Sequence, residues 1–146
     1  MRKLLASVEM FPERAHVVGA YALGKAQRLM ATLRQCGWDK PIHVHGALVA
    51  LTELYKRHGV DLGDVRHVEN APKSHYAGAI VLGPPDALQT PWVRRFPDPV
   101  TAFASGWMRI RARARQRGVE LPLVMSDHAD WPDLQRTILD TGAGEI

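Results

Sequence analysis

A single cysteine, Cys36, stands in a chain of 146 residues. One thiol can build neither an internal disulfide framework nor a multi-cysteine zinc knuckle, which fits a reducing compartment. No apolar run approaches the roughly 20 residues that cross a bilayer. The charges in "MRKLLASVEMFPERA" also come too early for the apolar stretch of a secretory leader. These absences imply a cytoplasmic protein with no membrane partner. Low-complexity linkers are missing as well, and the length suits one ordinary domain. What is present is a globular balance, 46% hydrophobic and 23% charged, so disorder is not the default reading.

The formal net charge of +4 points toward polyanionic partners. Its placement says more than its size. Arg109, Arg111, Arg113, Arg115 and Arg117 fall in "RIRARARQR", so the positive excess is local. Spacing of two puts all five on one side of an extended arm, whereas a helix splits them into two opposing stripes. With Gly118 following, an arm that turns back into the next strand is expected; a solvated helix of good helix formers is the alternative.

Two early segments share a pattern of β-branched run, glycine-bearing turn and amphipathic helix. "HVVGAY" leads into "ALGKAQRLMATLRQCG", where Leu23, Ala26, Met30 and Leu33 recur at helical spacing and Lys25, Arg28, Thr32 and Gln35 take another face. "PIHVHG" leads into "ALVALTELYKRHG", with Ala47, Ala50, Leu51, Leu54 and Tyr55 apolar. Gly37 and Gly59 read as helix stops. Further strands are expected at 65–69, 77–83, 101–105 and 121–126. A short helix is expected over "TPWVRRF", capped by Thr90, and a last one over 131–140, capped by Asp130. Strand-helix alternation with short connections implies right-handed crossovers and a mainly parallel sheet, an α/β fold.

Four constellations could carry chemistry. In "GAYALGKAQR" a glycine near the first turn of a helix lets an anion approach backbone N–H groups, and Lys25 opposes the helix dipole at a cost that a bound phosphate would reverse. Plain strand-helix packing explains the same stretch. In "FASGWM", Ser105 and Gly106 could present donors to a phosphate or form an ordinary turn, while Trp107 could stack a base or cover the core. His43 and His45 face the same way on a strand and could offer two metal ligands, but no Asp-His continuation follows, so a half-buried strand feature is the better reading. In "SDHAD", His128 between Asp127 and Asp130 suits proton transfer or phosphate contact, because an acid neighbour raises an imidazole that titrates near neutrality. Helix capping by Asp130 and a surface turn account for the same residues.

The order of these segments tips the balance. "GAYALGKAQRLMATL", "PIHVHGALVALTELYKRHGV", "TAFASGWMRIR" and "VMSDHADWPDL" together resemble the β-CASP family of metallo-β-lactamase-fold nucleases, and most of all its bacterial ligase-associated DNA exonucleases. The likeness covers nearly the whole chain. It implies a Rossmann-like three-layer β-CASP region over 1–100, with 101–146 opening the C-terminal metallo-β-lactamase-fold segment and packing as one unit with it. By the same resemblance His128 takes the place of the motif B histidine, which contacts the scissile phosphate or donates a proton, with Asp127 and Asp130 as supporting neighbours. Gly24, Lys25 and Gln27 fall near the nucleic-acid backbone, and Ser105 and Gly106 line the phosphate path; the local positive charge adds Arg109, Arg111 and Arg113 as nucleic-acid-binding candidates.

The departures matter equally. The family's His-x-His-x-Asp-His motif is missing, as are its other metal ligands, so the two zinc or manganese ions of an intact enzyme would not be held by this chain. The implied function is part of a metal-dependent DNA exonuclease, a hydrolase of DNA repair with a DNA ligase and a helicase as partners. The fragment alone is expected to be inactive. Alternatives are an RNA-processing nuclease of the same superfamily, a non-catalytic nucleic-acid-binding module, and a small nucleotide- or metabolite-binding α/β protein.

Overall fold

A computed structural model of the chain describes residues 1–142, so the end of the expected 101–146 segment, residues 143–146, lies outside the described residues. The chain runs α1 (Arg2–Met10), β1 (His16–Gly19), α2 (Lys25–Gln35), β2 (Ile42–Val44), α3 (Gly46–Arg57), β3 (Val65–His67), β4 (Ile80–Gly83), β5 (Val100–Ala104), α4 (Arg111–Arg117), β6 (Leu121–Leu123) and α5 (Trp131–Asp140). Short 3-10 turns at Lys73–Tyr76, Pro85–Gln89, Pro91–Arg95 and Gly106–Arg109 fill the connections. The strands form one parallel sheet in the order β3-β2-β4-β1-β5-β6. All six expected strands are therefore present, and β5 and β6 complete the same sheet as the first four.

The sequences of the central strands explain their position. "HVVG" and "IVLG" are buried at every residue, as strands covered on both faces must be. The register aligns Gly19 with Gly83 and with Phe103, and Ala104 with Leu123, so the strands end on a common edge. Right-handed crossovers carry the chain from β1 and β2 over one face and from β4 and β5 over the other.

On the first face Leu4 of α1, Leu29, Met30 and Leu33 of α2, and Leu48 of α3 pack on Val18, Ile80 and Leu82. On the second, Tyr76, Val93 and Phe96 cover Val17 and Val81, with Tyr76 and Trp92 set edge-on to Phe96 at 5.1 and 5.0 Å between centroids. Three layers result. The second face is closed by aromatic rings on 3-10 turns rather than by long helices.

Thr90 and Asp130 cap as expected, accepting bonds from the Trp92 and Asp133 amides. Four features differ from the sequence reading. Residues 2–10 form α1, an element not expected, because Leu4 and Val8 lie one turn apart and both reach the core. In α3 the core face is Leu48 and Thr52, while Ala47, Ala50 and Leu54 are exposed; a helix apolar nearly all round leaves its phase to tertiary packing. Lys25, expected on the polar face of α2, is only 3% exposed, whereas Leu23 is 65% exposed.

The fourth correction concerns the arginine run, which is the helix α4 and not an extended arm. An arm with no neighbouring strand would leave its backbone groups unpaired, whereas alanine, arginine and glutamine support a helix that pairs them internally. Gly118, left-handed at φ 63°, ends it. No helix among the described residues is long and apolar enough to cross a membrane.

Candidate nucleic-acid interface

The C-terminal ends of parallel strands are where open α/β sheets bind ligands, above all where neighbouring strands send their connections to opposite faces. β1 and β5 are such a pair. Over their ends lies a cleft of about 740 Å³ lined by Tyr21, Lys25, Ser105, Gly106, Trp107, Arg109, Val124, Ser126, Asp127 and His128. The helix tip after β1, the serine-glycine bend after β5 and the histidine loop after β6 thus share one cavity.

The sequence builds each wall locally. Gly24 N-caps α2 at φ 79°, a conformation that suits glycine, and its amide donates to Gln27 Oε1 at 2.8 Å. Gln27 Nε2 donates in turn to the Ala22 carbonyl at 3.0 Å, so this buried amide shapes the turn and does not reach the cleft. Ser105 lies at the end of β5, where its amide donates to the Leu123 carbonyl and its carbonyl accepts from the Met125 amide. Its hydroxyl caps the following 3-10 turn by accepting from Trp107 N at 3.3 Å. Gly106 packs closely on the histidine loop: a Cβ there would stand 3.3 Å from that of Ser126.

The histidine loop is tied down by α2. Lys25 Nζ donates to Asp127 Oδ1 at 2.6 Å and to the Met125 carbonyl at 3.4 Å, and Arg28 Nη1 donates to the Ser126 carbonyl at 2.7 Å. The Lys25 hydrogen bond holds the Asp127 carboxyl below its ordinary value, against a smaller opposing effect of burial. The anion that compensates the lysine is therefore a side chain of the protein itself. Asp130 is likewise engaged, accepting from the Asp133 amide at 3.0 Å as the cap of α5.

Of the expected site residues, Lys25, Ser105, Gly106, Arg109, Asp127 and His128 are brought together. Gly24 and Gln27 stand behind them, and Asp130 belongs to the helix start. Arg113 faces an adjoining cavity, 5.4 Å above the Trp107 ring, while Arg111 is exposed and lines neither cavity. A helical α4 accounts for this split, since residues two apart point to nearly opposite sides. Tyr21, a wall residue, and Arg28, which anchors the loop, are positions that the spacing of the sequence does not single out. Their signal was position alone, directly after β1 and one turn into α2.

The arrangement offers cations and an imidazole to an anionic group. Asp127 and Asp130 are already hydrogen-bonded, Arg109 shares the cleft with the exposed His128, and Lys25 and Arg28 fix the loop that carries it. The His43–His45 pair is structural: His45 Nδ1 accepts from the Ala47 amide at 3.0 Å as the cap of α3, and His43 is buried edge-on to Tyr76 at 5.0 Å. Among the described residues no group of three or more His, Cys, Asp or Glu side chains is arranged to hold a metal ion.

No family model matches the chain, and no solved structure matches it. Over 122 residues, 84% of the chain, it is 30% identical to a protein of Opitutus terrae named probable DNA ligase. The chain spans 12% of that protein's length.

Proposed function

We infer that this chain is the nucleic-acid-gripping region of a DNA-processing enzyme, and more specifically of a ligase-associated DNA exonuclease of the β-CASP type. The observation that carries the reading is the meeting of His128, the Ser105–Gly106 bend and the Lys25-bearing helix tip in one cleft. The likeness to a protein named as a DNA ligase supports the same direction. In this reading a sugar-phosphate strand lies over the ends of β1, β5 and β6. Arg109 and His128 face its phosphates, and Lys25 acts indirectly by holding the Asp127 loop in register.

The two zinc or manganese ions of such an exonuclease would activate water and offset charge on the phosphoryl oxygens. The described residues do not fit a centre of that kind. Their part is to hold the strand, and the exposed His128 imidazole is placed for a phosphate contact rather than for ligation by a cluster.

Fluorescence polarisation with a labelled single-stranded oligodeoxynucleotide tests the reading. Binding should weaken linearly with the logarithm of salt between about 50 and about 200 mM, and Arg109→Glu with Arg113→Glu should flatten that slope by on the order of 1.4, about 0.7 per lost phosphate contact. Arg57→Glu, at the far end of α3, should leave the slope nearly unchanged. Equal losses from both substitutions would mean that net charge, not this cleft, binds DNA. A mononucleotide that competes as well as the polymer would instead identify a small-nucleotide protein.

A further inference from the structure

Beside the larger cleft is a second cavity of about 550 Å³, which shares Tyr21, Ser105 and Trp107 with it and adds Gln89, Phe103, Arg113 and Gln116. Its size falls in the range of small-ligand sites. Two large aromatic side chains on its rim are left in solvent, Tyr21 at 54% and Trp107 at 60% exposure. Neither is loosely placed. Tyr21 meets Phe103 edge-on at 6.4 Å, and the Arg113 guanidinium sits 5.4 Å over the Trp107 indole. Trp107 therefore does not cover the core, and the neighbouring Met108 is the buried member of this turn.

We propose that Tyr21 and Trp107 form a slot for one unpaired nucleobase, next to the cleft that holds its phosphate. The inference rests on the reading of that cleft as a nucleic-acid interface. Fixed, exposed aromatic faces are what base stacking requires, and a guanidinium against one of them adds a cation–π contribution and a charge for the neighbouring phosphate. Gln89 and Gln116 bring amide donors and acceptors to the same cavity, able to meet a base edge. The shared rim lets one nucleotide reach both cavities, its base in one and its phosphate in the other. A base still paired in a duplex cannot enter, so the slot selects single-stranded DNA.

The test compares a short oligodeoxythymidine with an abasic strand of equal length and equal phosphate number, by polarisation on the full chain. The thymidine strand should bind on the order of tenfold more tightly, Trp107→Ala should abolish that difference, and Trp107→Phe should keep most of it. Equal binding of the two strands by the wild-type chain overturns the slot while leaving the phosphate cleft standing. Absence of binding to either strand overturns the cleft reading and the slot with it.

Discussion

Lys25 Nζ lies 2.6 Å from Asp127 Oδ1, joining the first turn of α2 to the loop after β6 across 102 positions of sequence. The lysine side chain is 4% exposed and the carboxylate 34% exposed, so the two partners are not equivalent. Loss of the carboxylate strands a buried ammonium, whereas loss of the lysine releases a carboxylate toward water. Asp127→Ala should therefore destabilise the chain by about 2 kcal/mol, and Lys25→Met by less. Urea unfolding of both variants checks the ranking, and equal or reversed effects would mean that the pair does not anchor the loop.

Three buried or half-buried imidazoles make stability depend on pH in a defined window. Burial holds His16, His43 and His45 below the ordinary value of 6.5, helped by Arg14 at His16, by His75 and Arg66 at His43, and by His67 and Arg95 at His45. His43 Nδ1 has no hydrogen-bond partner among the described residues, a state that neutral imidazole tolerates better than imidazolium. The unfolded chain takes up these protons first, so stability is full above about pH 6.5 and declines as pH falls below it. Asp64 and Asp127, held below 3.8, keep their contribution above that value and lose it only in stronger acid. Urea midpoints should drop between about pH 7 and about pH 5, and His43→Phe should make that drop shallower.

Nuclease activity is expected to require ligands outside the described residues. The purified chain with added zinc or manganese should leave single-stranded DNA intact, as judged by gel analysis of an end-labelled oligonucleotide. Zinc-dependent degradation that His128→Ala abolishes would show that this chain builds a metal centre after all.

The strands were legible because a parallel strand buried on both faces reads as a β-branched run, and "HVVG" and "IVLG" carry that pattern openly. Caps were legible too, since Thr90 and Asp130 act on amides two or three residues away. The arginine run was not, because two-residue spacing and helix-forming composition point to different elements, and only the lack of a pairing strand decides between them. Lys25 was placed on the polar face for a similar reason. Its burial depends on Asp127, a partner that folding supplies and no window of sequence contains.

The cluster "SDHAD" divides between the two readings it allowed. Asp130 is a helix cap set apart from the cleft, whereas Asp127, the counter-ion of Lys25, lines the cleft beside His128. Trp107 is legible in its turn as a candidate for base stacking, whereas Tyr21, at the end of a β-branched run, carries no such signal. Their meeting on one rim needed the sheet order that sets β1 beside β5.

The most direct measurement is amide chemical-shift mapping of the isotope-labelled chain titrated with a short single-stranded oligodeoxynucleotide. The account predicts perturbations concentrated at residues 21–25, 105–109 and 124–128, where the strand ends meet. Shifts gathered instead around β3 and Lys73–Tyr76, with those three segments silent, would contradict it.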